Sequence, residues 1–232
     1  MKITLTEAGK RFNRDWIFRH VSYEFIRGHS YAITGPNGSG KSTLLQVIAG
    51  AITPSEGVLT YEPAANNKSL TGDELTVDSS QLAENINLST VNRQLSTESI
   101  YRYISLSAPY LELVEEMTLT EFLHFHQQFK PFLPSIDTEK IISVLGLEKS
   151  AHKQIRYYSS GMKQRVKLAQ AVFSDTPALL LDEPCTNLDE EGIALYHQLI
   201  KNYCQGRLLI ISSNEEQEYN FCEKELNLML FK

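Results

Sequence analysis

Alternating apolar and polar positions dominate the start of the chain. Ile3 and Leu5 alternate with polar residues, and Val21, Tyr23 and Phe25 repeat the alternation further along. A period of two residues is typical of strands that bury one face, so this part of the chain is predicted to form half-buried antiparallel strands. Short β-prone runs predict further strands over residues 30–34, 58–61, 100–106 and 178–181.

Apolar residues at helical spacing indicate helices later in the chain. The segment that begins at Thr118 carries Glu121 three residues on, which is the arrangement of a capping box. Gly50 and Gly146 follow two other apolar segments and suit the backbone turn at a helix end. The pattern predicts helices over residues 42–49, 118–130, 138–145 and 162–173.

The length and composition indicate a globular α/β protein. A chain of 232 residues, 42% of them hydrophobic, can bury the core of one domain and has room for an inserted subdomain. From about residue 63 to residue 99 the composition shifts to Asn, Ser, Thr, Glu and Gln. This shift predicts a polar surface excursion from the domain.

Charge and cysteine usage argue against several classes of protein. The net charge of −6 and pI near 5.6 disfavour a nucleic-acid partner bound through its phosphates. Cys185, Cys204 and Cys222 are odd in number and have no C-x-x-C spacing, so neither a disulfide framework nor a zinc site is expected. No stretch of eighteen apolar residues occurs, so the chain is not expected to span a membrane by itself.

Residues 35–43 read G-P-N-G-S-G-K-S-T and match the phosphate-binding loop pattern G-x-x-x-x-G-K-[ST]. Glycines let the backbone curl so that successive N–H groups point at phosphate oxygens. Lys41 adds a positive charge and Ser42 a hydroxyl ligand for Mg²⁺. The predicted strand before the loop and the helix after it disfavour an ordinary glycine turn. The loop therefore predicts nucleotide binding.

Two carboxylates follow the predicted strand 178–181. Ligands sit at the carboxyl ends of strands in parallel α/β sheets, which places Asp182 near Mg²⁺ and Glu183 near the γ-phosphate. Glu183 is then positioned to orient or deprotonate the attacking water. The alternative is that Asp182 only caps a turn before Pro184. It is disfavoured because the Asp-Glu pair follows four apolar residues in a chain that carries a phosphate loop earlier on.

Four segments resemble, in order and spacing, an ATP-binding cassette (ABC) ATPase. They are the phosphate loop and residues 158–165 (Y-S-S-G-M-K-Q-R), 181–184 (L-D-E-P) and 186–189 (T-N-L-D). The resemblance covers nearly the whole chain. It implies a P-loop NTPase fold, with a RecA-like core sheet, an N-terminal antiparallel β subdomain and an inserted helical subdomain. The single domain over residues 1–232 would divide into a core at 1–104 and 158–232, with a polar insertion at 63–99, and a helical subdomain at 105–157.

The resemblance implies a site for ATP and Mg²⁺. Mg²⁺ is held by Ser42 and Asp182, and catalysis falls to Glu183, Lys41 and Asn214. Phe12 matches the aromatic on which adenine stacks, with strand packing as its alternative role and Trp16 as the alternative platform. The implied nucleotide-binding residues are Phe12, Gly35, Pro36, Asn37, Gly38, Ser39, Gly40, Lys41, Ser42, Thr43, Ser159 and Gly161.

The resemblance also implies partners. Family members form head-to-tail dimers, in which Ser159 and Gly161 hold the γ-phosphate of the nucleotide bound to the other protomer. Lys163, Arg165 and Lys167 add positive charge there, with a solvated face as the alternative for the two lysines. The partners are a second ATP-binding subunit, identical or different, and a separate transmembrane permease. The expected location is the cytoplasm, at the inner face of the cell membrane.

The chain departs from the family pattern at several positions. Ser160 stands for a glycine and Met162 for a glutamine in the 158–165 segment. Residues 103–110 lack the glutamine that approaches Mg²⁺ in the family. Asn214 replaces a histidine, and asparagine can donate a hydrogen bond but cannot take up a proton near neutral pH. These departures predict hydrolysis that is retained but slow.

Residues 117–126 are rich in aromatics, and the resemblance places them where the permease docks. His124 and His126 point about 200° apart on a helix, so a metal site is not expected. The favoured function is the ATP-hydrolysing subunit of a transporter. One alternative is an ATP-gated regulatory or structural half-site with little hydrolysis, and the other is a soluble, non-transport cassette ATPase. The chain does not specify the transported substrate or its direction.

Overall fold

The computed structural model of the chain describes residues 1–63 and 99–232. Apart from its two ends, the polar excursion predicted at 63–99 lies outside the described residues. The strands are β1 (Lys2–Phe12), β2 (Asp15–Ile26), β3 (Ser30–Thr34), β4 (Glu56–Glu62), β5 (Ile104–Ser107), β6 (Ala178–Asp182), β7 (Leu208–Ser212) and β8 (Lys224–Asn227). The helices are α1 (Lys41–Ile48), α2 (Leu119–Gln127), α3 (Thr138–Leu145), α4 (Ser160–Val172), α5 (Glu190–Tyr203) and α6 (Glu216–Tyr219). Short 3₁₀ turns occupy Ile100–Arg102, Glu148–Ser150, Ile155–Tyr157 and Leu228–Phe231.

The described strands form two sheets. One is antiparallel with the order β2-β1-β4, and Ile3 on its central strand pairs with Phe25 and Tyr61. The other has the order β5-β6-β7-β3-β8, and its neighbouring strands are parallel. The half-buried antiparallel strands that the alternating pattern predicted are therefore present, and the remaining strands build a parallel sheet.

Two hydrophobic clusters cover the two faces of the parallel sheet. Leu180 and Ile210 belong to the cluster shared with α1 and the antiparallel sheet. Leu181 and Ile211, one residue further along their strands, belong to the cluster shared with α2, α3, α4 and α5. Successive side chains of a strand point to opposite faces, so β6 and β7 are apolar up to their last residues, Asp182 and Ser212, because both of their faces are buried.

Most predicted helix ends agree with the structure, and the differences are local. Thr118 caps α2 and forms the predicted capping box with Glu121. The helix ends at Gln127 rather than at residue 130, since the chain already turns before Pro131. Helix α4 begins at Ser160, two residues before the predicted start, because the Ser159 hydroxyl caps it. The strand predicted over 100–106 is shorter, as a 3₁₀ turn takes its first residues.

Helices α2 and α3 lie in the chain between β5 and α4 and pack into the same cluster as the sheet. Leu123 of α2 and Ile141 of α3 are fully buried there beside Val166 of α4. This packing holds the α4 N-terminus, which carries the 158–165 segment, on the body of the protein.

Candidate functional site

The phosphate loop joins β3 to α1 through a tightly curled backbone. Gly35, Gly38 and Gly40 have φ angles of 143°, 77° and 97°, a region that glycine enters without strain. A Cβ atom on Gly40 would collide with Cγ2 of Ile17 on β2. The glycine at this position is therefore required both by its conformation and by the close approach of a neighbouring strand.

The start of α1 is open to a ligand. Its N-cap residue is Gly40, and no described side chain caps the helix, so the first N–H groups of the helix and its positive dipole end face the loop. The side chain of Lys41 is buried within the loop. Its Nζ donates hydrogen bonds to the carbonyl oxygens of Gly35 at 2.9 Å and Pro36 at 3.3 Å. The other predicted loop residues lie in the same stretch: Asn37, Gly38, Ser39, Ser42 and Thr43.

The order of the parallel sheet brings the predicted catalytic residues to one edge. Strand β7 lies between β3 and β6, and Ser212 at its end is in register with Ile33 on one side and Asp182 on the other. The phosphate loop, residues 213–215 and the Asp182-Glu183 pair therefore leave three neighbouring strands at the same edge. Neighbouring strands are about 4.8 Å apart, so these groups can contact one small ligand.

The carboxylate of Asp182 is suited to a cation. Asp182 is 2% exposed, and among the described residues no group forms a hydrogen bond with its Oδ1 atom. A buried carboxylate oxygen without a partner is unfavourable unless a cation or donor meets it. The Ser42 hydroxyl lies in the first turn of α1, directly after the phosphate loop, and is the second candidate ligand. These oxygen ligands fit Mg²⁺, which prefers carboxylate, hydroxyl, phosphate and water oxygens.

Glu183 has a strained backbone. Its φ angle is 42°, and a non-glycine residue in this region costs about 1–3 kcal/mol. Its N–H donates a 2.8 Å hydrogen bond to the carbonyl oxygen of Ser212 on β7. Asn214 lies beyond the same strand, is exposed, and makes a long 3.4 Å contact from Nδ2 to Oε1 of Glu215. Both side chains therefore stand at the edge of the sheet that holds the phosphate loop.

Tyr110 occupies the region where the family has its glutamine, and sequence reasoning missed it. Burial raises the pKa of Tyr110, a hydrogen bond with the Gln46 side chain lowers it, and the Asp182 carboxylate raises it further. Gln46 of α1 and Asp182 at the end of β6 are therefore neighbours of the Tyr110 hydroxyl, although the residue as a whole is 45% exposed. Tyr110 lies three residues after the carboxyl end of β5, and this position in the chain is the sequence feature that could have indicated a role at the site.

The 158–165 and 186–189 segments contact each other. The Ser159 hydroxyl accepts a 3.2 Å hydrogen bond from the N–H of Met162 and so caps α4. A Cβ atom on Gly161 would lie 3.1 Å from the carbonyl oxygen of Asn187. Glycine at this position therefore lets the N-terminus of α4 approach the backbone of the 186–189 segment closely.

The three cations of α4 bind groups within the chain. Lys163 forms a 2.6 Å ion pair with Glu115, and Lys167 donates a 2.8 Å hydrogen bond to the carbonyl oxygen of Pro109. Arg165 approaches Asp189 at 3.5 Å. Lys163 and Lys167 therefore neither form a solvated face nor stand free beside the helix N-terminus.

Phe12 and Trp16 differ in how open their rings are. Phe12 is 51% exposed at the tip of the β1-β2 hairpin. Trp16 has the guanidinium carbon of Arg19 at 4.2 Å and that of Arg11 at 5.4 Å from its ring centroid. Phe12 also has a neighbouring cation, since Lys10 Nζ lies 5.3 Å from its ring centroid, but Phe12 is the more exposed of the two rings.

His126 has a structural environment. Its Nε2 atom lies 2.9 Å from the Ser174 hydroxyl, and its ring stacks against Phe122 and Phe132. Burial lowers the pKa of His126 to about 4, so this ring is neutral near pH 7. His124, two residues earlier, is exposed.

Comparison with known proteins gives consistent matches over most of the chain. The family model described as ABC transporter matches residues 18–186. The uncharacterized ABC transporter ATP-binding protein YybJ of Bacillus subtilis is 30% identical over 228 residues, which are 97% of this chain and 92% of that protein. The cytochrome c biogenesis ATP-binding export protein CcmA of Agrobacterium fabrum is 24% identical over 93% of this chain and 90% of its own length.

A solved structure agrees in fold. The ATP-binding cassette MJ0796, determined as a dimer in a post-hydrolysis state with ADP and phosphate, superposes with a TM-score of 0.72. Its sequence is 21% identical, and the match covers 97% of this chain and 94% of that one. This likeness confirms the predicted α/β P-loop NTPase fold.

Proposed function

This chain belongs to the ABC transporter family, whose ATP-binding cassettes hydrolyse ATP, and we propose that it drives a separate transmembrane subunit by closing and reopening an ATP-bound dimer. The observation that carries the proposal is the shared edge of β3, β7 and β6, which holds the phosphate loop beside Asp182 and Glu183. The buried Oδ1 of Asp182, which forms no hydrogen bond with any described residue, supports a metal-assisted phosphoryl site there.

Each residue of the edge has a chemical role in the proposal. The loop N–H groups and Lys41 bind the β- and γ-phosphates, and Phe12 stacks on the adenine. Ser42 and Asp182 would hold Mg²⁺. When bound, this ion would neutralise part of the negative charge of the phosphates. Glu183 orients a water molecule for in-line attack on the γ-phosphorus and accepts its proton.

Turnover is proposed to be slow. Asn214 can donate a hydrogen bond to the γ-phosphate but cannot exchange a proton near neutral pH as histidine does. The region after β5 has Tyr110 where the family has a glutamine. Loss of one positioned transition-state donor typically lowers turnover by about 10²–10³-fold, so these replacements favour a low rate without removing the chemistry.

The ATP site is proposed to be shared between two protomers. In each protomer the N-terminus of α4, with Ser159 and Gly161, would bind the γ-phosphate held by the phosphate loop of the other. A helix N-terminus attracts anions through its N–H groups and dipole. The dimeric ADP-bound form of MJ0796 is a precedent for such an assembly in a protein of the same fold.

Mixing two defective variants tests the shared site. Lys41→Ala removes the phosphate contact of one half, and Ser159→Asp keeps the helix cap but places a negative charge against the γ-phosphate. Each variant alone is expected to hydrolyse ATP poorly. An equimolar mixture is expected to regain activity, because a mixed dimer contains one complete composite site, and phosphate release measures it. A mixture that is no more active than its components would contradict a shared site.

The partner is proposed to be a transmembrane subunit bound on helix α2 and the residues just after it. No described helix of this chain is long and apolar enough to cross a membrane. The rings of Phe125 and Phe129 meet edge to face with centroids 5.0 Å apart, and the two residues are 44% and 64% exposed. Exposed aromatics are typical of protein interfaces. Under this proposal the chain works at the inner face of the membrane, where its transmembrane partner would hold it.

Replacing Phe125 and Phe129 together by aspartate tests this surface. We expect the double variant to lose its recovery with a detergent-solubilised membrane subunit, because two charges replace an apolar contact. ATP hydrolysis by the isolated chain should be retained, since neither ring is at the nucleotide edge. Val58→Asp is the matched control, as Val58 is 56% exposed on the antiparallel sheet. Undiminished recovery of the double variant would exclude this surface as the docking site.

A further inference from the structure

The segment that follows β6 carries Glu183 and is held by side chains from two other elements. After Glu183 the chain turns, and the N–H of Thr186 donates to the carbonyl oxygen of Glu183 at 3.1 Å. Pro184 and Cys185 are buried within this turn. Their backbone groups cannot reach water easily, so each needs a partner inside the protein.

Gln164 provides the first partner. Its Nε2 atom donates a 2.8 Å hydrogen bond to the carbonyl oxygen of Pro184. The side chain is 3% exposed, and it lies on α4 four residues after Ser160. The helix proposed to meet the other protomer's nucleotide is therefore tied directly to the residue after Glu183.

Glu218 provides the second partner. Its Oε1 atom accepts a 2.7 Å hydrogen bond from the N–H of Cys185, and Glu218 is 3% exposed. It lies on α6, just beyond the segment that carries Asn214. The backbone of Glu218 is itself held, since its carbonyl oxygen accepts a 2.7 Å hydrogen bond from the Tyr196 hydroxyl of α5.

A buried acid in this place needs an explanation. Burial raises the pKa of Glu218, whereas the Ser213 hydroxyl and the Cys185 N–H act in the opposite direction. Its second oxygen, Oε2, is buried and accepts no hydrogen bond from the described residues. A buried acid that is only half satisfied destabilises a fold. The hydrogen bond from the Cys185 N–H to Oε1 directs this carboxylate at the turn after Glu183.

We propose that Gln164 and Glu218 are positioning residues that hold the Glu183 turn from helices α4 and α6 and keep its carboxylate aligned for hydrolysis. The inference rests on the catalytic role proposed for Glu183. The two bonds fix the backbone one and two residues after Glu183, whose own φ of 42° is unfavourable. A displacement of about 1 Å in a catalytic group can lower a rate about 10²-fold, so loss of either bond is expected to affect turnover.

The test compares kcat and KM for ATP in four variants. Glu218→Ala and Gln164→Ala are each expected to lower kcat by about tenfold or more while KM changes less than about threefold, because the phosphate loop is untouched. Glu218→Gln retains an oxygen acceptor for the Cys185 N–H and is expected to restore most of kcat. The double alanine variant should lose less than the product of the two single losses, since both bonds act on one turn.

Gln154→Ala is the matched control. Gln154 also donates from Nε2 to a backbone carbonyl, that of Glu116 at 2.9 Å, but on the surface and away from the turn. Wild-type kcat in this control is expected. Wild-type kcat in Glu218→Ala and Gln164→Ala, with only a lower melting temperature, would overturn the inference. Glu183→Gln is assayed in parallel to distinguish failure of this inference from failure of the catalytic role proposed for Glu183. If Glu183→Gln is fully active, the catalytic role itself is wrong. If it is inactive while Glu218→Ala and Gln164→Ala keep wild-type kcat, only the positioning role is wrong.

Discussion

Replacing Glu183 with glutamine is expected to lower phosphate release from MgATP by about 10²–10⁴-fold and to leave ATP binding nearly unchanged. The amide has the shape of the carboxylate but cannot accept a proton from the attacking water. Glu183 stands beyond the end of β6, and its N–H is fixed to the carbonyl oxygen of Ser212, so the substitution should not move the turn. The effect should therefore fall on kcat alone.

Steady-state phosphate release and nucleotide titration measure the two quantities. Glu190→Gln is a suitable control, because Glu190 is an exposed acid in the first turn of α5. In the same assay the wild-type protein is expected to turn over below the enzyme median of about 10 s⁻¹. Equal rates for wild type and Glu183→Gln would exclude Glu183 as the base and favour the alternative of a half-site with little hydrolysis.

Replacing Lys41 with alanine is expected to weaken ATP binding by about 10–100-fold. This range corresponds to a charge-assisted hydrogen bond of about 1.5–3 kcal/mol. The Nζ atom lies inside the loop, within hydrogen-bond distance of two loop carbonyl oxygens. The ammonium group is therefore already placed at the N-terminus of α1, where the phosphates would lie. Hydrolysis should fall with binding, because the same contact stabilises the γ-phosphate in the transition state.

Isothermal titration with ATP measures the loss. Lys140→Ala is the matched control, since Lys140 is an exposed lysine on α3, distant in sequence from the loop. The control is expected to bind ATP as the wild type does. An affinity of Lys41→Ala within about twofold of the wild type would contradict the assignment of residues 35–43 as the phosphate site.

Contiguous motifs can be predicted from the amino-acid sequence alone. The loop at residues 35–43 needs only its glycines and the adjoining strand and helix, all of which lie next to it in the chain. The same holds for the capping box of Thr118 and Glu121 and for the end of α3 at Gly146. Such features depend on interactions over a few residues, so the local sequence contains nearly all the information that they require.

Residues that act across large sequence separations cannot be predicted in this way. Glu218 and Cys185 are 33 positions apart and Gln164 and Pro184 are 20 apart, and no spacing rule relates either pair. Tyr110 approaches Asp182 only because β5 and β6 are neighbours in the sheet. The solvated face considered for the lysines of α4 is wrong for the same reason, since their partners come from a distant part of the chain.

The sequence by itself determined the family, the α/β fold and the phosphate loop, because these depend on local motifs and on apolar periodicity. Only the tertiary structure decided which strands are neighbours, and hence that β7 brings residues 213–215 between the phosphate loop and Asp182. It also decided how the Glu183 turn is held. The physical reason is that buried polar groups take whatever partner the packed chain places beside them, and that partner is set by the sheet order and not by distance along the sequence.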